Sequence, residues 1–385
     1  MKKDEWKNPK TAAIIFFIWR LLLCFPLVFL YLVPFRKGFE YTTLWGYTEP
    51  FTPLPNPLLY PWANFDGVHY LTIAAQGYTT NARFLPLYPM FIKGIALVFG
   101  DIKIYSFLSF AIALILSNLF FLLGLYVLYR LLRLDYNSDK SKLSLLALLF
   151  FPTSFFFGAV YSESLFFLLS VLVFYFSRNN KWWLAGICGA FASATRVVGV
   201  VFFLVLLVEY VEQRQKDIRK IVASLIALTG TLIYAAYNYA KWGDPVYFIR
   251  QHGELSNGRA TGELVFPLQT FYRYIKMLIL VSPSVYEWWI VFLELSVFLF
   301  VLFSFYLMWK QNIRKSYALF AVFAIVIPVL SGTLSGLPRY ILPLFPIFIA
   351  LADIDSRVFR YAYMFAGIIL SFILLILFAQ GYYIA

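Results

Sequence analysis

The stretch NFDGVHYLTIAAQGY, residues 64–78, places an acid, Asp66, three positions before His69, one of only two histidines in the chain. A helix would bring this (i, i+3) pair to one face. Ionisable side chains are costly near lipid, so we expect the pair either in a wet location or in a functional site. A carboxylate held against a hydroxyl group can act as a general base, which is the chemistry that Asp66 suggests.

Three further charged side chains lie in apolar surroundings and are predicted at the same membrane depth. They are Glu163 in AVYSESLFF, Arg196 in SATRVVG and Arg339 in SGLPRYILPLFP. Arginine presents a planar fork that suits a phosphate group. The convergence of carboxylates, a histidine and arginines from separate parts of the chain therefore predicts a pocket for an anionic lipid headgroup, in which Tyr340 is a further candidate substrate-binding residue.

Structural alternatives exist for each of these residues. Asp66 could cap its helix while His69 is a polar interfacial residue, and Glu163 could be favoured by a helix N-terminus capped by Ser162. Either arginine could extend to lipid headgroups. These alternatives are decided by geometry, which spacing alone does not give.

The composition predicts the surroundings of these residues. The 385-residue chain is 62% hydrophobic and only 13% charged, which is typical of an integral membrane protein and not of a soluble domain. The formal net charge of +13 is explained by membrane orientation and not by nucleic-acid binding. Cys24 and Cys188 lie in apolar runs and carry no information on redox compartment. No metal-type cluster of cysteine and histidine is visible in the sequence.

Apolar runs predict an all-α polytopic protein with about 11 transmembrane helices in a single domain, residues 1–385. The predicted spans are 11–34, 104–129, 142–158, 163–177, 182–195, 197–211, 219–240, 288–309, 316–331, 339–352 and 358–380. Basic residues cluster in short segments that are expected to be cytoplasmic, together with the N-terminus. These segments are 2–10, 130–142, 178–181, 214–220, 310–315 and 357–360.

Two long connections, 35–103 and 241–287, then fall on the extracytoplasmic side, and function is expected there. The first contains the proline-rich stretch EPFTPLPNPLLYPW and the segment 86–100, which is predicted to lie in the interface instead of crossing the membrane. Residues 66–77 are predicted to form a short amphipathic helix on the outer surface. Leu71, Ile73 and Ala74 would face the membrane.

Several of these motifs together resemble the PIG-V-like mannosyltransferases of the GT-C class. The motifs are FDGVHYLTIAAQGY, FLPLYP, FPTSFFFGAVYSESLFFLLS and WWLAGICGAFASATRVVG, with SGLPRYILPLFP as a weaker match. Asp66 and His69 match the acid and histidine of the family's WDxxH pattern. Glu163 matches the acid of its YSExL element and Arg196 the arginine of its ATR element. Phe65 stands where the family usually has tryptophan, so a stacking contact to sugar or lipid is expected to differ.

The resemblance implies a GT-C-like fold with interfacial helices in the first outer loop. It also implies an inverting transfer of mannose, or a similar hexose, from a polyprenyl-phosphate donor to a hydroxyl group of a lipid or glycan acceptor. Asp66 would be the base, with His69, Glu163, Arg196, Arg339 and Tyr340 binding substrate. No cofactor is expected, and a metal ion is not required because arginines stabilise the leaving phosphate.

Three other functions remain open from the sequence. The chain could be a GT-C enzyme for another lipid-linked sugar, a lipid or glycan transporter, or a structural membrane scaffold. A transporter would place its polar residues mid-membrane in broken or repeated helices. The expected location is the plasma membrane if the source is prokaryotic and the endoplasmic reticulum membrane if it is eukaryotic.

Overall fold

The computed structural model describes residues 9–36, 58–79, 81–100, 106–255 and 264–384, which are helical throughout apart from the connections between helices. Short 3₁₀ turns at Pro26–Leu32, Tyr60–Ala63, Ser154–Gly158, Val197–Val200 and Ile226–Leu228 join or extend the helices. The α-helices in chain order are α1 Pro9–Cys24, α2 Asp66–Gln76, α3 Leu87–Val98, α4 Phe107–Leu132, α5 Ser138–Leu149, α6 Glu163–Arg178, α7 Trp182–Thr195, α8 Val201–Glu212, α9 Arg219–Leu225, α10 Thr229–Trp242, α11 Tyr247–Leu255, α12 Pro267–Leu280, α13 Tyr286–Lys310, α14 Lys315–Val329, α15 Leu337–Tyr340, α16 Phe345–Ala352 and α17 Arg357–Ala379.

Five helical stretches in the described residues are long and apolar enough to cross a membrane. They are Lys10–Leu32, Phe107–Leu132, Arg219–Trp242, Tyr286–Lys310 and Arg357–Ala379. Each has 23 to 26 residues, and at about 1.5 Å per residue this is sufficient for a hydrocarbon layer of about 30 Å. The chain is therefore a multi-pass, nearly all-helical membrane protein. The number of eleven crossings and the orientation remain predictions.

Two of the predicted spans are not continuous helices. Instead of a span over 142–158, α5 ends at Leu149, and a 3₁₀ turn follows after Pro152. Instead of a span over 339–352, the short helices α15 and α16 are separated by a turn that contains Pro343. The physical reason is that proline lacks the amide hydrogen needed to continue a helix, and it also disfavours helical geometry in the preceding residue.

The first long connection contains the two predicted short helices, α2 and α3. The prediction that Leu71, Ile73 and Ala74 face the membrane is wrong, because all three side chains are buried in the protein core. Helix α2 packs against the 3₁₀ turn before it, against α3 and against α4, so its apolar face is covered by protein. Most of the proline-rich stretch, residues 49–57, lies outside the described residues.

Helix α6 lies at the centre of the bundle, between α4 and α7. Small residues allow close contacts beside it. A Cβ atom added to Gly230 of α10 would lie 1.9 Å from the carbonyl oxygen of Ala190 in α7, and one added to Gly186 would lie 2.1 Å from that of Ala223. Small residues at helix contacts let backbones approach closely, as is common in membrane bundles. These contacts fix α7, which ends directly before Arg196.

The short basic segments meet at one end of the bundle. Ion pairs join Arg178 to Asp135 at 2.6 Å and Lys140 to Asp353 at 2.8 Å. The carboxylate of Glu209, which is fully buried, accepts two hydrogen bonds from Arg314 and one from Ser316. Glu163 is the first residue of α6 and Arg178 is the last, so the carboxylate of Glu163 lies at the other end of this helix from the basic segment.

Candidate active site

Four charged side chains from distant parts of the sequence form a continuous chain of ion pairs. Nη1 of Arg339 lies 2.5 Å from Oδ2 of Asp66, and Nε of the same guanidinium lies 3.1 Å from Oε1 of Glu163. That oxygen of Glu163 also lies 2.5 Å from Nη1 of Arg196. The side chains are between 2% and 20% exposed. In this low-dielectric location the pairing offsets the cost of removing each charge from water.

Both acids occupy the first residue of a helix. Asp66 begins α2 and Glu163 begins α6, where the helix dipole favours a negative charge. Neither helix has a side-chain cap: Phe65 occupies the cap position before Asp66, and the Ser162 hydroxyl instead accepts a hydrogen bond from Tyr70 at 2.8 Å. Asp66 is therefore not the side-chain cap of α2, and Ser162 is not the side-chain cap of α6, whereas the expected benefit of the helix dipole applies to both acids.

The backbone directly before Asp66 has an unusual conformation. Phe65 has φ 56° and ψ −112°, which is rare for a residue with a side chain and costs about 1–3 kcal/mol. Its ring contacts the rings of Phe378 and Tyr383 near the end of α17, with centroids 5.6 and 5.7 Å away. The amide of Asn64 donates to the carbonyl of Phe378 at 3.0 Å. The C-terminal helix thus fixes the turn that points Asp66 into the site, and Phe65 packs within the protein.

Arg339 lies on the short helix α15, directly after a turn at Gly336, whose φ of +81° is readily adopted only by glycine. The turn is held by Tyr274 of α12, whose hydroxyl accepts a hydrogen bond from the amide of Leu334 at 3.0 Å. The same hydroxyl donates to Glu294 of α13 at 2.6 Å. The second long connection, which contains α12, therefore helps to position Arg339.

Arg196 follows the last residue of α7 in an extended conformation, which directs its side chain towards Glu163. Its side chain is 17% exposed and that of Arg339 is 9% exposed. The alternative that these arginines extend to lipid headgroups is wrong, because both guanidinium groups turn into the protein. The ring of Tyr340 lies beside both, with its centroid 5.0 Å from Cζ of Arg196 and 5.7 Å from Cζ of Arg339.

His69 lies one turn after Asp66 on α2, and its ring stacks on Phe84 with centroids 5.1 Å apart. Burial lowers the pKa of His69 below its ordinary value of 6.5, although Asp66 opposes this, so the imidazole is neutral at pH 7. Burial by itself would raise the pKa of Asp66, but the charges of Arg339 and Arg83 outweigh it and the pKa is lowered. Asp66 is therefore ionised at neutral pH.

Sequence reasoning missed Arg83, which the structure places near Asp66 and His69. It lies in the connection between α2 and α3, directly before the FLPLYP motif. The signal was present, because Arg83 is the only formally charged residue between Asp66 and Lys93. It also missed Tyr161, whose hydroxyl donates to the carbonyl of Asn64 at 2.8 Å and whose ring lies 5.2 Å from Cζ of Arg339.

Each acid keeps one oxygen without a hydrogen bond to any described residue. In Asp66, Oδ2 is bound by Arg339 and Oδ1 is not, while the side chain is 20% exposed. In Glu163, Oε1 forms ion pairs with both Arg196 and Arg339. The buried Oε2 makes no hydrogen bond within the described part of the chain. Asp66 is therefore fixed through Oδ2 and accessible through Oδ1, and a carboxylate of this kind can receive a proton from a bound hydroxyl group.

No three histidine, cysteine, aspartate or glutamate side chains among the described residues form a group that could hold a metal ion. The only carboxylates of the ion-pair chain, Asp66 and Glu163, are each bound by arginine. The prediction that no metal is required remains a prediction.

The fold and this site define a class: a multi-pass membrane protein with a buried chain of ion pairs at one end of its helices. Residues 48–242, half of the chain, match the family model described as mannosyltransferase (PIG-V). The chain belongs to the PIG-V mannosyltransferase family, as the sequence motifs predicted.

One similar relative is GPI mannosyltransferase 2 of Drosophila pseudoobscura pseudoobscura, with 29% identity over 201 residues. The match covers 51% of this chain but only 37% of that relative. Among solved structures, ArnT from Cupriavidus metallidurans in the apo state matches with 17% identity and a TM-score of 0.47, over 80% of this chain and 57% of that one. The apo oligosaccharyltransferase of Archaeoglobus fulgidus matches with 12% identity and a TM-score of 0.49, over 99% and 57%.

Proposed function

We propose that the protein transfers a mannosyl residue from a polyprenyl-phosphate donor to a hydroxyl group of a lipid or glycan acceptor, with inversion at the anomeric carbon. Membership of the PIG-V family supports the reaction class. The relative's name supports a glycolipid as the acceptor. The observation that carries the proposal is Asp66, an ionised carboxylate with one oxygen held by Arg339 and the other available to a substrate.

In the proposed reaction, the acceptor hydroxyl hydrogen-bonds to Oδ1 of Asp66 and attacks the anomeric carbon from the face opposite the phosphate. The bond from the anomeric carbon to the phosphate oxygen breaks, and its electron pair leaves with the lipid phosphate. The hydroxyl becomes more acidic as its new bond forms, so the proton passes to Asp66 late in the step. A carboxylate with a low pKa can accept the proton at this stage.

The other predicted residues have supporting roles in this proposal. Arg339 orients Asp66 and keeps it ionised, and Glu163 holds Arg339 and Arg196 together from the opposite side. Neutral His69, on the same face of α2 as Asp66, is placed to hydrogen-bond a sugar hydroxyl. The arginines of the site stabilise the negative charge that develops on the leaving phosphate, and preorganised charge of this kind is commonly a large term in catalysis.

The test compares wild type with Asp66→Asn. Purified protein is incubated with polyprenyl-phosphate mannose and a panel of glycolipid acceptors, and transfer is measured by mass spectrometry. Asparagine keeps the size of the side chain and can still accept a hydrogen bond from Arg339, but it cannot take up the proton. We expect transfer to fall about 10²–10⁴-fold. Asp355→Asn, at a fully exposed position near the basic end, is the control and should transfer at the wild-type rate.

Equal rates for wild type and Asp66→Asn would remove Asp66 from the mechanism. Transfer of another sugar from its polyprenyl phosphate, with no transfer of mannose, would replace the proposed donor while keeping the proposed mechanism. Retention of configuration in the product, read from the anomeric coupling constant, would contradict the single-displacement step.

A further inference from the structure

Arg20 is a charged residue in an apolar part of the chain, and it lies outside the chain of ion pairs. It stands near the middle of the 23-residue membrane-spanning stretch Lys10–Leu32. Its Nη1 atom is buried and makes no hydrogen bond within the described part of the chain. None of the described acids forms an ion pair with it. A charge in the middle of a span is costly without a counter-ion, so stability alone does not explain an arginine here.

The Arg20 side chain contacts two turns of the protein. Its guanidinium lies over the ring of Trp62, with Cζ 3.7 Å from the ring centroid. A Cβ atom added to Gly158 would lie 2.5 Å from Nη1 of Arg20, so the guanidinium occupies the space that a side chain at Gly158 would need. Trp62 belongs to the 3₁₀ turn Tyr60–Ala63, and Gly158 ends the 3₁₀ turn Ser154–Gly158. Arg20 therefore connects α1 to both turns.

The two turns lead directly to the two acids of the ion-pair chain. Trp62 lies four positions before Asp66. Gly158 lies five positions before Glu163. The segments are joined by a hydrogen bond of 2.8 Å from the backbone amide of Val160 to the carbonyl of Trp62. A shift of Trp62 would therefore change the placement of Asp66 relative to Glu163, and one guanidinium must reach both of these acids.

We propose that Arg20 is a positioning residue for the transfer reaction, and that it acts through Trp62 on the relative placement of Asp66 and Glu163. This inference rests on the proposed function. A guanidinium stacked on an indole ring combines flat packing with a cation–π attraction, which is stronger where water is excluded. An apolar side chain of similar size would be at least as favourable for stability, because it carries no charge to desolvate. It would lack the directional contact that fixes the Trp62 turn in one position.

The first experiment separates a positioning role from a purely structural one. Wild type, Arg20→Met and Arg20→Lys are compared by kcat, by KM for polyprenyl-phosphate mannose and by melting temperature. We expect Arg20→Met to keep its melting temperature, because the variant removes a buried charge without a counter-ion. Its kcat should fall about tenfold to a hundredfold with an unchanged KM, which is the effect of misplacing catalytic groups by about 1 Å. Arg20→Lys keeps a cation over the ring and should recover part of the kcat.

The matched control is Arg130→Met. Arg130 also lies over aromatic rings, those of Tyr126 and Tyr175, but it stands in the last turn of α4 at the basic end of the bundle. Its kcat should equal that of wild type. A double-mutant cycle tests the path through the indole ring: in a Trp62→Phe background, where the ring attracts a cation less strongly, Arg20→Met should cause a smaller fall in kcat.

Three results would overturn the inference. A melting temperature of Arg20→Met that falls together with kcat would show a structural role. A raised KM with unchanged kcat would show that Arg20 binds the donor directly. An equal fall in kcat in the wild-type and Trp62→Phe backgrounds would show that Arg20 does not act through Trp62.

A structure of Arg20→Met makes the test independent of turnover. We expect Trp62 to be displaced and Arg339 to contact only one of the two acids, Asp66 or Glu163. Unchanged contacts of Arg339 with both acids would overturn the inference even if wild type transfers mannose. If wild type transfers no sugar, the proposed function fails, and the displaced contacts in the variant would still support the placement of the acids by Arg20.

Discussion

The guanidinium of Arg339 donates a 2.5 Å hydrogen bond to the carboxylate of Asp66, which lies 273 positions earlier in the chain. Arg339 is 8% exposed as a residue, and its Nε faces Glu163 at 3.1 Å. One planar group therefore connects the acid of the first long connection to the acid at the start of α6. A point charge could not face both acids in the same way.

Arg339→Lys should retain the fold but lose most of the activity. Lysine keeps the positive charge but lacks the planar fork, so it cannot hold Asp66 and Glu163 together. A charged hydrogen bond contributes about 1.5–3 kcal/mol, and we therefore expect kcat to fall about tenfold to a hundredfold. The measurement is steady-state transfer beside the melting temperature. Arg130→Lys, at the opposite end of the bundle, is the control, and an unchanged kcat in Arg339→Lys would contradict this role.

The dependence of the transfer rate on pH should be that of an enzyme that works with a neutral His69 imidazole and an ionised Asp66 carboxylate. Burial lowers the pKa of His69 from 6.5, so transfer should remain constant as the pH falls from 8 to about 6.5 and decline only below that. A protonated imidazole would compete with the acceptor for the Asp66 carboxylate. His69→Gln should be slower but should lack this decline. A midpoint above pH 6.5 would show that His69 is protonated in the working enzyme.

The same pKa shifts predict how stability changes with pH. The folded state lowers the pKa of His69 and of Asp66, so in each case it binds protons less readily than the unfolded chain. The contribution of neutral His69 to the free energy of unfolding is fully present above pH 6.5. It is lost as the pH falls from 6.5 through the lowered pKa of the folded state. The contribution of ionised Asp66 to the free energy of unfolding is lost only below pH 3.8, the ordinary pKa of its carboxyl group. Melting temperatures of wild type and His69→Gln should therefore diverge from neutral pH towards pH 5.

Arg314→Met should destabilise the protein without altering the chemistry of the site. Arg314 pairs with Glu209, whose side chain is 0% exposed, so its removal leaves a buried carboxylate without its counter-ion. Such a change costs about 3–5 kcal/mol. The matched variant is Arg360→Met, because Arg360 pairs with the fully exposed Asp355 and should show no measurable loss. Equal melting temperatures for the two variants would contradict a structural role for the buried pair.

Gly230→Ala should lower the melting temperature because its Cβ would lie 1.9 Å from the carbonyl oxygen of Ala190. The backbone of α7 or α10 must then shift, and overpacking of this kind costs about 1–3 kcal/mol. Gly94→Ala is the matched control in α3, where a Cβ would meet nothing within 4 Å. It should melt at the wild-type temperature or slightly higher. Identical melting curves for the two variants would show that the α7–α10 contact is not tight.

Several elements could be predicted from the sequence because their signals are local. Helix α2 was expected at 66–77 and lies at Asp66–Gln76, and the predicted span 163–177 corresponds to α6 at Glu163–Arg178. The breaks after α5 and α15 were missed, although Pro152 and Pro343 were visible. The long apolar runs favour a continuous span at both places, but proline lacks the amide hydrogen that would continue the helix. The burial of the Leu71 side chain in the protein core was not predicted, because the sequence of an apolar helix face does not depend on whether lipid or protein covers it.

The sequence by itself determined that the chain lies in a membrane, where several of its helices run and which few charged residues required an explanation. Each of these follows from composition and short-range pattern. Only the tertiary structure decided that Arg339 contacts Asp66 and Glu163, that Arg196 contacts Glu163, and that Arg83 stands beside the same helix. The reason is physical: the strength of an ion pair depends on distance and burial, and spacing along the chain specifies neither.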